Sequence, residues 1–113
     1  MEEKVRLSYL FDFYGDLLNS KQNEIFQAFV FQDLSLQEMA DELGVSRQAV
    51  HEKVRRSIQI LENYEKRLRL LEKYRRICDI ADTIETELEE SPAIAEETCQ
   101  SVLEKLTEIK EVF

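Results

Sequence analysis

Four side chains, Arg47, Gln48, His51 and Arg55, follow one another at a spacing that gathers them along the opening and one flank of a helix. Their donors suit the edges of nucleic-acid bases: arginine bonds guanine in two places, and glutamine does the same with adenine. Ser46 stands just ahead of them as a cap, and the free amides that follow it can hold a phosphate at the helix N-terminus. Arg56 joins this group as a further candidate. Downstream, Lys66, Arg69, Lys73 and Arg76 fall on one side if the helix continues, and with Arg67 and Arg75 they form the densest basic patch in the chain. That patch reads either as a solvated face, as a stripe that tracks phosphates, or as a docking face for the acidic tail of a partner chain. Glu52 works against this chemistry. It shares a side with Gln48, Arg55 and Gln59, and it repels phosphates unless it accepts from a cytosine amino group; Asp41 and Glu42 on the preceding helix add to the repulsion. The expectation is weak or selective nucleic-acid binding.

Other chemistries find no constellation. His51 is the only histidine, on an exposed helix far in sequence from Cys78 and Cys99, so no nucleophile and base are paired, and the chain is not expected to be an enzyme. The two cysteines, with no further Cys and one His, build neither a zinc site nor a disulfide framework and read as reduced core thiols. No catalytic residue, metal or cofactor is therefore expected.

The elements that position these residues follow from composition. The chain of 113 residues is about one domain's worth, 43% hydrophobic and 35% charged, with two glycines and one proline. Sheets and tight hairpins need turn residues at regular intervals, so the sequence reads as all-α. No apolar run approaches the roughly 20 residues that span a bilayer, and the acidic start Met1-Glu2-Glu3-Lys4 is unlike a secretory signal. A soluble, cytoplasmic protein without membrane insertion is expected. The net charge is −9, distributed as a basic middle (residues 47–76, with 10 bases and 4 acids) between two acidic ends.

Leu7, Leu10, Phe11, Tyr14, Leu17 and Leu18 predict an amphipathic helix over about residues 3–18. A second follows a cap at Asn19 or Ser20, over about residues 21–31, with Ile25, Phe26, Phe29 and Val30 inward. Ser35-Leu36-Gln37-Glu38 fits a capping box for a short helix whose inner face is Leu36, Met39, Ala40 and Leu43. Gly44 then supplies the left-handed residue that ends it. From Arg47 no Gly or Pro intervenes until Pro92, so helical structure can continue for some forty residues. Leu61, Tyr64, Leu68 and Leu71 lie near the 3.5-residue repeat of a pairing seam. Cys78, Ala81, Ile84 and Leu88 extend the apolar pattern, and Ser91-Pro92 start a last helix with Ile94, Val102, Leu103, Leu106, Ile109 and Phe113 inward. The tail thus reads as an acidic antiparallel hairpin.

The most specific signal lies between Leu36 and Val54. Ala40 allows two helices to cross closely, Gly44 turns the chain, and Val50 locks the second helix on the first, which is the helix-turn-helix arrangement. The stretches Glu24-Ile25-Phe26-Gln27-Ala28-Phe29 and Asp33 to Val50 resemble region 4 of sigma-70-type factors, which reads the promoter −35 element. That resemblance covers about residues 18–61; there is no sigma region 2, and the acidic hairpin departs from the pattern. The whole chain, from its aromatic first helix through Ser46-Arg47-Gln48-Ala49-Val50 to Tyr64-Glu65-Lys66-Arg67-Leu68, is similar to the YlxM-like family of small bacterial proteins. That resemblance implies a gene beside those of the signal recognition particle and a regulatory or accessory role in its pathway.

The expected architecture is an all-α, sigma-70 region 4-like helix-turn-helix bundle with an N-terminal packing helix (residues 1–62) and a C-terminal helical hairpin that serves dimerisation (residues 63–113). Two functional readings follow, and both need a basic helix face. One is a DNA-binding regulator linked to the signal recognition particle pathway. The other is an accessory protein of that particle, contacting its RNA or its GTPase subunit. In both, Ser46, Arg47, Gln48, His51, Arg55, Arg56, Lys66, Arg69 and Lys73 meet nucleic acid, DNA or RNA, and the chain is a homodimer.

Overall fold

The computed structural model describes residues 2–90, 93 and 95–111. Among them are six α-helices and no strand: α1 (Glu3–Tyr14), α2 (Ser20–Val30), α3 (Leu36–Leu43), α4 (Arg47–Leu68), α5 (Leu70–Glu89) and α6 (Glu96–Glu111). The chain divides into two compact units, Met1–Leu71 and Glu72–Phe113. The expected division between residues 62 and 63 falls inside α4, whose later turns bury Leu61 and Glu65 in the first unit.

In the first unit, α1 turns Leu7, Leu10 and Tyr14 inward. It stops earlier than its periodicity predicts. At Gly15–Leu17 the chain tightens into a single 3-10 turn, which leaves Leu17 54% exposed while Leu18 is buried. Gly15 has a steric reason to be there. A Cβ at this position would lie 2.8 Å from ring carbons of Phe11, so the missing side chain lets that ring lie over the backbone. Phe11 in turn stacks on Phe26 with ring centroids 5.3 Å apart and meets Phe31 edge-on.

Both caps at the start of α2 are satisfied: Asn19 accepts the Gln22 amide at 2.9 Å, and the Gln22 side chain accepts the Asn19 amide at 3.1 Å. Ile25 and Phe26 are buried, Phe29 and Val30 half-buried. The Ser35 box closes in the same way, with the Glu38 amide on Ser35 Oγ at 3.0 Å, and Gly44 ends α3 in the left-handed region at φ 66°. Ile25, Met39, Ala40, Val50 and Val54 form one buried cluster that locks α2, α3 and α4 together, with Ala28, Phe29, Leu34, Leu36 and Ile58 packed against it. Leu43 departs from the expected inner face and is half exposed, because the helix ends at that turn.

The helical stretch that could continue from Arg47 is broken at Arg69. α4 ends at Leu68, Arg69 takes a left-handed conformation (φ 55°, ψ 34°), and α5 starts at Leu70. No glycine or proline marks the place; the break is held by side chains. Tyr14 Oη accepts the Leu70 amide at 3.1 Å and Glu65 Oε1 accepts the Leu71 amide at 2.9 Å, so two of the donors that a helix start leaves unbonded are met from within the first unit. The expected seam of Leu61, Tyr64, Leu68 and Leu71 is therefore not a seam. Leu61 and Leu71 are buried in the unit's own core, Tyr64 stacks on Tyr14, and Leu68 is 48% exposed.

In the second unit, α5 and α6 run antiparallel as a hairpin: the Cys99 thiol donates to the Leu88 carbonyl at 3.8 Å, and Lys110 pairs with Glu85 at 3.1 Å and with Asp82. Ala81 and Leu106 are buried between them, with Cys78, Ile84, Leu88, Val102 and Leu103 half-buried. Both cysteines are free. Ile109, expected inward, is 43% exposed near the end of α6. The expected cap at Ser91-Pro92 and the positions Ile94 and Phe113 lie outside the described residues; the described helix begins at Glu96.

Candidate nucleic-acid interface

The first turn of α4 is built from its cap. Ser46 is extended (φ −72°, ψ 154°), and its hydroxyl accepts the Ala49 amide at 3.1 Å, while its carbonyl accepts the Val50 amide. The amides of Arg47 and Gln48 precede the first intrahelical bond and point out of the helix start. Val50, fully buried, and Val54, 5% exposed, anchor the opposite side, so the helix turns a fixed face to solvent. On that face Arg47, Gln48, His51, Arg55, Arg56 and Gln59 are exposed and Glu52 is half-buried. Ser46, Arg47, Gln48, His51, Arg55 and Arg56 thus come together within the first three turns of one helix.

Glu52 organises this face. Its carboxylate accepts Arg55 Nε at 3.2 Å and Arg55 Nη2 at 3.1 Å, and also Arg56 Nε at 3.2 Å. Hydrogen bonds from Arg55 first, then from Arg56, hold Glu52 below the usual carboxylate range, and Glu52 raises Arg55 in return. In the sequence Glu52 read as repelling phosphates unless it accepts from a cytosine amino group, without its pairing to the arginines. The signal for its pairing was present, since a glutamate three and four residues ahead of two arginines reaches both on a helix. Lys53, exposed on the same helix, is a further cation that the sequence reading passed over.

The second expected group does not lie on one continuing helix. Lys66 is exposed in the last turns of α4, about 16 Å along the axis from Arg55. Arg69 is the left-handed residue that closes α4, and Lys73 and Arg76 belong to the second unit. The stripe presupposed a continuing helix, and the left-handed turn at Arg69 interrupts it.

A short supporting helix, a left-handed glycine turn and a longer helix whose outer face carries arginine, glutamine and histidine define a helix-turn-helix protein of all-α fold. Comparison of the chain with known proteins makes this specific. Residues 1–102 match the model of the UPF0122 family, YlxM / p13-like helix-turn-helix proteins, and the chain belongs to that family. A UPF0122 protein of Shouchella clausii is 38% identical over 109 residues, covering 96% of this chain and 98% of its own. One from Symbiobacterium thermophilum is 44% identical over 89 residues, covering 79% and 83%. A third, from Bacillus mycoides, is 40% identical over 108 residues, covering 94% and 98%. No helix among the described residues is long and apolar enough to cross a membrane.

Proposed function

We propose that this chain is a regulatory protein that binds nucleic acid through the exposed face of α4, in the manner that its resemblance to sigma-70 region 4 implies. One observation carries the reading: α4 opens on a satisfied Ser46 cap and presents Arg47, Gln48, His51 and Arg55 together on a solvent face, held there by the buried Val50 and Val54. A helix of this kind fits the major groove of duplex DNA, with base edges read from its first turns and phosphate held at its N-terminus. Arg56, Lys66 and Arg69 of the first unit supply phosphate contacts without sequence preference, and Lys73 of the second unit is a separate candidate. The protein acts in the cytoplasm as a homodimer, as two-fold operators require of most such proteins.

The accessory reading has its own support. Glu52 pairs with both Arg55 and Arg56 and the chain carries a net charge of −9, which lowers general affinity for polyphosphates and supports a protein contact such as the GTPase subunit of the signal recognition particle, or a selected RNA. Salt titrations of binding to duplex DNA, to structured RNA and to the purified particle protein separate the two. Duplex binding gives a steep negative slope of log affinity against log salt, and Lys66→Ala flattens that slope by about one unit for every sequence alike. If duplex DNA is not held while the particle protein or its RNA is, the accessory role stands and the DNA reading falls.

A further inference from the structure

The Glu52–Arg55 pair bears on what the α4 face selects. A guanidinium has two forks of donors, a side fork at Nε and Nη2 and an end fork at Nη1 and Nη2. In this chain the side fork of Arg55 is closed on both oxygens of Glu52, at 3.2 and 3.1 Å. Among the described residues, the hydrogen-bond partners of this carboxylate are the two exposed arginines of the next turn. An exposed ion pair of this kind contributes little to stability. What the two bonds do is fix the plane of the guanidinium, leaving its end fork to solvent on a side chain that is 62% exposed.

We infer that Glu52 is a positioning residue that holds Arg55 as a guanine reader, with the free end fork of Arg55 directed to the O6 and N7 acceptors of one guanine in the major groove of duplex DNA. The inference rests on the nucleic-acid reading of α4 and deepens it. Orienting the fork before binding removes the rotamer entropy that a free arginine loses on contact, so discrimination at that base rises. The same carboxylate repels the phosphates of every duplex, so only a site whose guanine meets the held fork recovers the loss. Glu52 therefore trades general affinity for selectivity. The groove of A-form RNA that would admit such a fork is deep and narrow, which favours DNA as the ligand.

The test selects binding sites from a randomised duplex DNA pool and then measures the affinity of each single-base variant of the selected site. Wild type should prefer guanine at one position by about ten-fold or more, the range expected of one bidentate arginine. Arg55→Ala should abolish that preference, because no donor is left to reach the guanine edge. Glu52→Gln should lower the preference several-fold while leaving affinity for random duplex equal or higher. In the free protein, the Arg55 Nε proton should be protected from solvent exchange in wild type and lose that protection in Glu52→Gln. Two results overturn the inference while leaving DNA binding intact: Glu52→Gln tightening all duplexes with its guanine preference unchanged, or a selected site with no position that depends on Arg55. Wild type that enriches no duplex at all overturns the DNA reading itself and this inference with it. Glu52→Ala serves as the second variant, with helicity by circular dichroism confirming that the fold is kept.

Discussion

Tyr14, near the end of the first helix, donates its phenolic hydrogen to Glu65 Oε1 across 2.8 Å, and both side chains are buried, at 1% and 8% exposure. Their oxygens also accept the Leu70 and Leu71 amides. A carboxylate taken from water is tolerated only when it is hydrogen-bonded, and here Oε1 accepts from a hydroxyl and a backbone amide at the break between α4 and α5. Tyr14→Phe removes the donor to Glu65 and the acceptor for Leu70 while keeping the ring on Tyr64. The expected loss is about 1–3 kcal/mol, read as a lower denaturant midpoint, with faster hydrogen exchange at the Leu70 amide. Equal midpoints for the two proteins would show that the pair contributes nothing.

The same pair gives stability an alkaline limit. Burial pushes the Tyr14 hydroxyl up from 10.0 to about 12; the Leu70 amide opposes the rise and the Glu65 carboxylate adds to it. The folded chain thus keeps a proton that the unfolded chain releases above pH 10. The contribution is complete below pH 10 and is lost as pH rises toward about 12, since stability falls wherever the unfolded state binds fewer protons. The stability advantage of wild type over Tyr14→Phe should shrink across that window, as measured by urea unfolding at stepped pH. An advantage that stays constant from pH 9 upward, over about three pH units, would contradict the assignment.

Gly44 carries the turn between α3 and α4 at φ 66°, with nothing within 4 Å of where a Cβ would lie. Any penalty for a side chain there is conformational. Gly44→Ala should cost about 1 kcal/mol, seen as a melting temperature several degrees lower, and Gly44→Asn should cost less, because asparagine visits the left-handed region more readily. The α4 face should be unaltered in either variant. A Gly44→Ala protein that melts with wild type would show that the turn has relaxed out of the left-handed region.

Local chemistry made much of this fold legible. The boxes at Ser35-Glu38 and the turn at Gly44 are short-range, with each partner within a few residues, and they stand where the sequence placed them. The face of α4 was legible for the same reason, since Val50 inward fixes where Gln48 and Arg55 point. The break at Arg69 was not. It depends on Tyr14, more than fifty residues away, and on Glu65, whose character is set by what surrounds it. One signal did exist. The buried positions Val50, Val54, Ser57 and Leu61 step by four, three and four, and one further step of four lands on Glu65. A carboxylate where an inward residue belongs announces a buried partner; following Tyr64 and Leu68 instead carried the pattern past it. The expected alignment of Lys66, Arg69 and Lys73 assumed that the helix continues, and the break at Arg69 removes that assumption.

The redistribution of the leucines sharpens the test of the proposed homodimer. Leu61 and Leu71 are 0% and 3% exposed inside the first unit and have no surface left to offer a second copy, whereas Leu68 is 48% exposed among Lys66, Arg67 and Arg69. If two copies meet through this region, Leu68 is the apolar anchor and basic side chains form its rim. Leu68→Glu should then leave the melting temperature close to that of wild type, since the side chain already faces water, while sedimentation equilibrium shifts from a dimer toward the 13.4 kDa chain. Leu61→Glu should behave differently. It places an unpaired charge in the core and should unfold the first unit whether or not a dimer forms, at a cost of several kcal/mol. A wild type that sediments only as the 13.4 kDa species at micromolar concentration rejects the dimer outright. A dimer that survives Leu68→Glu places the contact elsewhere, and the exposed Ile80 and Ile109 of the second unit are then the positions to substitute next.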